Sequence, residues 1–153
     1  EVLNEDVIKV FPRGKFISLF YLMIDFHANK MKYCKASQES AFLLRAGTNE
    51  IEELTTEGQV LGLFSKMDFP DIVNFEEKEL TFEDGDKLLL FTDGIVEAKG
   101  LSGEYFGTER IKEIFTENKD SENVLETIQE ELFSFVGGDK LEDDLTFLLI
   151  ERG

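Results

Sequence analysis

Two short acidic segments carry the side chains best suited to bind a divalent metal ion. The first, Leu88–Gly94, is an apolar run ending in Thr-Asp-Gly, so Asp93 directly follows a buried-type strand and Gly94 allows a sharp turn. The second places Asp143 and Asp144 immediately before the last apolar strand. Carboxylate oxygens are hard ligands that suit Mg²⁺ or Mn²⁺. Two such ions about 4 Å apart can activate a water molecule and clamp a phosphoryl group.

Ordinary structural roles also account for each segment taken alone. Asp-Gly after a strand is a common turn, and acidic residues before a strand are usually solvent-exposed. Three aspartates also supply few ligands for two metal ions. A haloacid-dehalogenase-type enzyme would carry a nucleophilic aspartate at position 91, where this chain has Phe91. The haloacid-dehalogenase reaction is therefore excluded. The spacing of the aspartates alone is compatible with both a metal-binding and a purely structural role of the two segments.

The composition predicts one acidic, folded domain over residues 1–153. The chain is 42% hydrophobic and 32% charged, which is enough apolar material for a core. Its 33 acidic and 16 basic residues give a net charge of −17. A field of that sign repels phosphate backbones and anionic lipid, so we expect neither a nucleic-acid nor a membrane partner. An anionic substrate would need bound cations to approach.

Single cysteine and histidine residues limit the kinds of site further. Cys34 cannot form an internal disulfide, which is compatible with a reducing, cytoplasmic location. His27 alone cannot build a multi-histidine zinc site. We expect both to have ordinary structural roles. The longest strongly apolar run, Leu19–Ile24, is far too short to cross a membrane. The chain begins with Glu1 and not with Met, which indicates a piece of a longer protein.

Hydrophobic periodicity predicts an α+β fold with antiparallel sheets and helices packed on them. Helices are predicted at 1–11, 109–117 and 121–136, with Thr108 and Ser121 as caps of the last two. The first helix should place Leu3, Val7 and Val10 or Phe11 on one apolar face that packs inward. Strands are predicted at 16–25, 31–36, 39–46, 50–55, 72–80, 86–92 and 145–150. The segment 16–25 is apolar on both faces, so we expect both faces to be covered.

Four motifs occur in a fixed order between about residues 12 and 151. They are Gln59–Leu63, Gly85–Ala98, Gly103–Ile111 and Asp143–Thr146. The second resembles the "GD-apolar-TDG-x-x-EA" signature of bacterial SpoIIE-type protein phosphatases, in the PPM superfamily of metal-dependent serine/threonine phosphatases. The others resemble that family's "x-x-LG", "GE-x-FG-x-ER" and "DD-x-T" elements.

This resemblance implies an αββα sandwich with two Mn²⁺ or Mg²⁺ ions, where an activated water attacks phosphoserine or phosphothreonine. Asp93 matches one metal ligand and Asp143 the other, with Asp144 adjacent and the choice between them open. Gly94 matches the turn that lets Asp93 reach the ion. Thr92 and Thr146 match positions with structural or supporting roles. The implied partners are a phosphorylated regulatory protein, such as an anti-sigma-factor antagonist, and an upstream sensor or receiver domain.

Two departures from the family pattern bear on activity. The family's earlier "GGD" and "GD-x-x-GHG" elements, which carry the aspartate that bridges the metals, do not occur, and its "AGHNP" loop reads Ala-Ser-Gln-Glu-Ser at 36–40. We therefore expect a C-terminal part of the domain, lacking its N-terminal strands and inactive by itself. Missing strands would expose a sheet edge, so a homodimer of this chain is also expected. The alternative is a non-catalytic interaction or regulatory module on the same fold.

Overall fold

The computed structural model describes residues 1–153 and divides them into two compact units. The first unit comprises Glu1–Ser40 and Leu54–Glu83, and the second Ala41–Glu53 and Asp84–Gly153. Both units combine helices with antiparallel strands, which confirms the predicted α+β class. None of the four helices has the length and apolar character that a membrane crossing requires.

The first unit contains helix α1 and a three-stranded antiparallel sheet. The helix is Val2–Val10, and the strands are β1 (Leu19–Asp25), β2 (Lys30–Ala36) and β5 (Lys78–Thr81). The strand order is β1-β2-β5, so β1 lies at an edge. Met31, Tyr33 and Phe82 are among its fully or almost fully buried side chains.

Two predictions for this unit were wrong. Leu3 and Val10 are exposed, and the buried face of α1 consists of Asn4 and Val7. Tyr21 and Met23 of β1 are about half exposed, so only one face of that strand is partly covered.

The predicted strand 72–80 is a strand only in its last part. The backbone N–H of Val73 donates to the carbonyl of Phe69, and that of Asn74 donates to the carbonyl of Ile72. The Lys66 Nζ donates to the carbonyl of Val73 at 2.6 Å. These local bonds form turns, and of the apolar residues here only Val73 is fully buried, whereas Ile72 is half exposed.

The second unit contains a four-stranded antiparallel sheet and three helices. The strands are β3 (Ala41–Leu44), β4 (Ile51–Leu54), β6 (Lys87–Phe91) and β7 (Phe147–Glu151), in the order β4-β3-β6-β7. The helices are α2 (Asp93–Val96), α3 (Gly107–Glu117) and α4 (Val124–Val136). Its core joins sheet and helix side chains, with Phe42, Leu89, Ile111, Phe115, Ile128 and Leu132 fully buried.

The N-terminal ends of α3 and α4 differ from the predicted ones, whereas their C-terminal ends agree. Phe106 and Asn123 are the N-cap residues, and neither makes a side-chain cap bond. Ser121 instead accepts the backbone N–H of Asn123 at 3.1 Å, within the turn before the helix. The predicted C-terminal end of this helix at residue 136 is confirmed, where Gly137 adopts a left-handed φ of 76° and the N–H of Gly138 donates to the carbonyl of Phe133.

Candidate metal site and adjacent cleft

The pairing of β6 with β7 brings the two acidic segments together. Phe91 is opposite Phe147 in this antiparallel pair. The register continues one residue further, where the backbone N–H of Thr92 donates to the carbonyl of Thr146 at 3.2 Å. Asp93, the next residue after Thr92, therefore lies beside the segment that contains Asp144 and leads into β7.

The hydroxyl of Thr92 connects the two segments directly. It donates to the carbonyl oxygen of Asp144 at 3.1 Å and accepts the backbone N–H of Thr146 at 3.1 Å. Thr92 is the N-cap residue of the single-turn helix α2, yet its side chain makes no cap bond. The supporting role expected for Thr92 is thus visible in its side-chain bonds, whereas Thr146 takes part only through its backbone.

Gly94 is required by close approach and not by an unusual backbone angle. It lies inside α2, and a Cβ atom there would be under 3.0 Å from the carbonyl oxygen of Asp144 and 3.2 Å from its carbonyl carbon. A side chain would push the two segments apart. This steric role adds to the turn that the sequence predicts at Gly94.

The carboxylates of Asp93, Asp143 and Asp144 are all on exposed residues. None of them forms an ion pair, and Asp143 Oδ1 accepts the backbone N–H of Asp144 at 2.8 Å. Unpaired carboxylate oxygens on two contacting segments fit a hard divalent cation in donor chemistry. No three His, Cys, Asp or Glu side chains of residues 1–153 are grouped closely enough to hold a metal ion, so the structure shows contact between the two segments and not a complete ligand cluster.

The carboxylate at the start of the 85–98 signature has a structural role. Asp86 is almost fully buried, and its two oxygens accept the backbone N–H of Ala46 and an N–H of Arg45, each at 3.0 Å. Arg45 also contacts Glu52 at 2.7 Å. A buried carboxylate with these partners anchors the β3–β6 region and is not available to a metal ion.

A cleft of about 570 Å³ adjoins the acidic segments within the second unit. Gly94 and Asp143 line it on the side of these segments, and Lys99, Tyr105 and Lys140 line it elsewhere. Sequence reasoning did not identify these last three residues. One signal was present: in a chain of net charge −17, Lys99 lies six positions after Asp93 and Lys140 three positions before Asp143.

A hairpin over residues 98–106 positions Lys99 and Tyr105, which pair as an antiparallel bridge. The N–H of Phe106 donates to the carbonyl of Ala98 at 2.8 Å. Arg110 secures the hairpin, because it donates to the carbonyl oxygens of Tyr105 and Phe106 at 3.0 and 2.9 Å. The "GE-x-FG-x-ER" motif therefore contributes Tyr105 to the cleft and Arg110 to the bonds that hold the hairpin.

Helix α4 supports the same hairpin. The Arg110 guanidinium lies 4.4 Å from the centre of the Phe135 ring. A Cβ on Gly100 would lie 2.8 Å from the same ring, so the hairpin backbone packs directly on α4.

Within the hairpin, a hydrogen bond from Ser102 makes the largest contribution to lowering the pKa of Glu104, and the backbone N–H of Glu104 and the charge of Arg110 also lower it. Glu104 therefore remains charged within the hairpin.

Neither Cys34 nor His27 provides a reactive group. Cys34 is half-buried on β2, and that burial raises the pKa of its thiol, which keeps it protonated. His27 is an exposed turn residue whose backbone N–H donates to the carboxylate of Asp25 at 2.9 Å. Both agree with the structural roles predicted for them.

The 36–40 loop keeps a glycine-like conformation without a glycine. Ser37 has a φ of +52°, in the left-handed region that glycine favours. Its backbone N–H and its hydroxyl both donate to the carbonyl of Gly58, at 3.0 and 3.2 Å. These bonds hold Ser37 in a conformation that is costly for a residue with a Cβ.

Comparisons with known proteins place this geometry in a family. The model of the Stage II sporulation protein E (SpoIIE) family matches residues 1–153. Protein IcfG of Synechocystis sp. is 27% identical over 138 residues, which are 90% of this chain and 21% of IcfG. The phosphoserine phosphatase RsbU of Bacillus subtilis is 24% identical over 152 residues, which are 98% of this chain and 43% of RsbU. The chain thus spans less than half the length of either curated relative.

A solved structure shows the same fold. The SiaA-PP2C domain of Pseudomonas aeruginosa matches with a TM-score of 0.81 at 17% identity, covering 98% of this chain and 58% of that chain. The predicted PPM-type arrangement of helices and antiparallel sheets is therefore confirmed.

Proposed function

The chain belongs to the SpoIIE family of PP2C-type phosphatase domains, and from that premise we propose that the full-length protein hydrolyses phosphoserine or phosphothreonine on a regulatory protein. The observation that carries the proposal is the contact between the turn after Asp93 and the Asp143–Asp144 segment. When bound, Mg²⁺ or Mn²⁺ ions supply an activated water and neutralise charge on the phosphoryl group.

Each residue of the two segments has a specific role in this proposal. Asp93 and one of Asp143 and Asp144 provide carboxylate ligands. Thr92 fixes their relative position through its bonds to the 144–146 backbone. Gly94 lets the segments approach. Residues 1–153 contribute these parts to a larger phosphatase domain, and further carboxylates complete the metal site.

The proposed substrate is a phosphorylated regulatory protein of the anti-sigma-factor antagonist type, and upstream sensor or receiver domains control the activity. The name of the Bacillus subtilis relative, a phosphoserine phosphatase, supports the reaction type. A chain charge of −17 supports the need for cations at the site, since an unscreened phosphoprotein would be repelled.

The test is phosphate release from a phosphoserine peptide by the full-length protein with Mn²⁺ or Mg²⁺. We expect Asp93→Asn to lower the rate at least roughly 100-fold, because a neutral amide is a much poorer ligand for a hard cation. EDTA should abolish the wild-type activity.

Asp120→Asn is the matched control, since Asp120 is exposed in the α3–α4 connection and lies in neither acidic segment. It should retain the wild-type rate. Full activity of the Asp93 variant, or activity in EDTA, would contradict the proposal.

The alternative function is a non-catalytic interaction or regulatory module. The observations that favour it are the replaced family residues at 36–40 and the lack of a three-carboxylate group in residues 1–153. This alternative predicts that the full-length protein binds a phosphorylated partner without turnover at any metal concentration.

A further inference from the structure

The cleft beside the acidic segments is large enough to hold more than a phosphate group. Its volume of about 570 Å³ is within the range of small-ligand sites and far exceeds that of one phosphate group. Ala98, Val136 and Leu141 provide an apolar part of the lining, and the half-exposed Tyr105 provides an aromatic one. The cleft therefore offers room beside the proposed reaction centre that phosphate alone would not fill.

The two lysines of the cleft have different electrostatic environments. Lys99 Nζ lies 3.5 Å from Glu142 and 5.9 Å from the centre of the Tyr105 ring, so its charge is partly compensated. Lys140 is exposed and forms no ion pair or hydrogen bond. In a chain with twice as many acidic as basic residues, an unpaired lysine in a cleft is available to bind an anion from outside.

We propose that this cleft binds the substrate segment that flanks the phosphorylated residue, with Lys140 holding an acidic side chain of that segment. This inference rests on the proposed function. Asp143 links the two sites, because it belongs to the acidic pair and also lines the cleft. A phosphoresidue at the metal site would therefore leave the neighbouring substrate residues at the mouth of the cleft.

A carboxylate fits Lys140 better than the phosphate does. In the proposed function the metal ions neutralise the charge of the phosphate. An acidic side chain next to the phosphorylated residue finds only one unpaired cation in the cleft, which is Lys140. The remaining charged lining residues, Glu97, Glu142 and Asp143, are acidic and would repel such a flank. Lys140 therefore allows an acidic substrate segment to bind, and its location determines which substrate position prefers an acidic side chain.

The experiment measures binding, so that it does not depend on turnover. Fluorescent peptides carrying Asp, Asn or Lys beside a non-hydrolysable phosphonate analogue of phosphoserine are titrated with the full-length protein in the presence of Mn²⁺, and anisotropy gives each Kd. We expect Lys140→Glu to weaken the Asp peptide roughly tenfold, to leave the Asn peptide near its wild-type affinity and to tighten the Lys peptide. Lys140→Arg should bind all three like the wild type.

Lys119→Glu is the control for long-range charge, since it makes the same change outside the cleft, where Lys119 contacts Asn49. Equal weakening by the Lys119 and Lys140 variants would overturn the proposal, as would equal weakening of the Asp and Asn peptides by Lys140→Glu, which would identify the phosphate as the ligand. Wild-type hydrolysis of phosphopeptides with metal tests the proposed function separately. A protein that binds as expected but never hydrolyses would retain this inference as a binding site and lose the enzymatic proposal.

Discussion

Thr92 and Gly94 determine how closely the two acidic segments approach each other. Thr92 uses its hydroxyl as both donor and acceptor toward the 144–146 backbone, and Gly94 has no side chain where the carbonyl of Asp144 approaches. The two residues on either side of Asp93 thus serve the same purpose. In this account, the Thr-Asp-Gly motif is a ligand flanked by the two groups that position it.

Gly94→Ala should separate the segments, because its new Cβ would be under 3.0 Å from a backbone oxygen. We expect unfolding free energy to fall by about 1–3 kcal/mol and divalent-metal affinity to fall with it. Chemical denaturation and metal titration measure the two effects.

Gly138→Ala is the matched control, since a Cβ there meets nothing within 4 Å. It should change neither quantity by a measurable amount. Unchanged metal affinity in the Gly94 variant would show that this close approach does not matter for the site.

At the scale of elements, helix α1 is fixed to the 62–66 segment by polar side chains. The fully buried Asn4 accepts the backbone N–H of Gly62 and donates to the carbonyl of Phe64, both at 2.9 Å. Glu5 accepts the backbone N–H of Lys66 at 2.7 Å and the hydroxyl of Ser65 at 3.2 Å. An apolar stripe therefore does not explain how this helix is attached.

Asn4→Ala should lower the free energy of unfolding by about 2 kcal/mol, since it leaves two partly buried backbone groups without their partner. Asn123→Ala is the control, because Asn123 is an exposed N-cap residue without a side-chain cap bond. Urea denaturation of both variants measures the difference. Equal stabilities would contradict the role given to Asn4.

Glu5 should make the stability of this attachment depend on pH. The backbone N–H of Lys66 lowers the pKa of Glu5 below its usual 4.5, more than partial desolvation raises it. The stabilisation is therefore complete above the unfolded-state pKa and is lost as pH falls through the folded-state pKa. Glu5→Gln should be less stable than wild type at pH 7, and the two should converge as the solution is acidified below about pH 4. A constant difference across this range would contradict the assignment.

The elements show which features local sequence patterns could predict. Strands such as β6 and helices α3 and α4 were found because their apolar periodicity is local. The bond from Thr92 to Asp144 joins positions 52 residues apart, so no local pattern could reveal it. The polar attachment of α1 was missed for a similar reason, since it depends on backbone partners about 60 residues away in the chain.

At the scale of the whole molecule, the sheet of the first unit has an uncovered edge strand. Tyr21 and Met23 of β1 are 53% and 49% exposed, and Phe26 directly after the strand is 57% exposed. Edge strands with exposed apolar side chains pair readily with other chains. This feature supports the expected homodimer.

Residues 1–153 should therefore self-associate, and Tyr21→Lys should weaken that association because a lysine on an edge strand opposes pairing. Sedimentation velocity over a wide concentration range measures both. A monomer at the highest concentration would contradict the prediction, as would unchanged association of the Tyr21 variant.

The most direct test of the account is a Mn²⁺ titration of the full-length protein, followed by the electron paramagnetic resonance signal of free Mn²⁺. Convergence of the two acidic segments predicts that Asp93→Asn and the double change Asp143→Asn with Asp144→Asn each weaken Mn²⁺ binding at least roughly tenfold, whereas Asp120→Asn does not. Wild-type Mn²⁺ affinity in both site variants would contradict the claim that these carboxylates bind the metal ions.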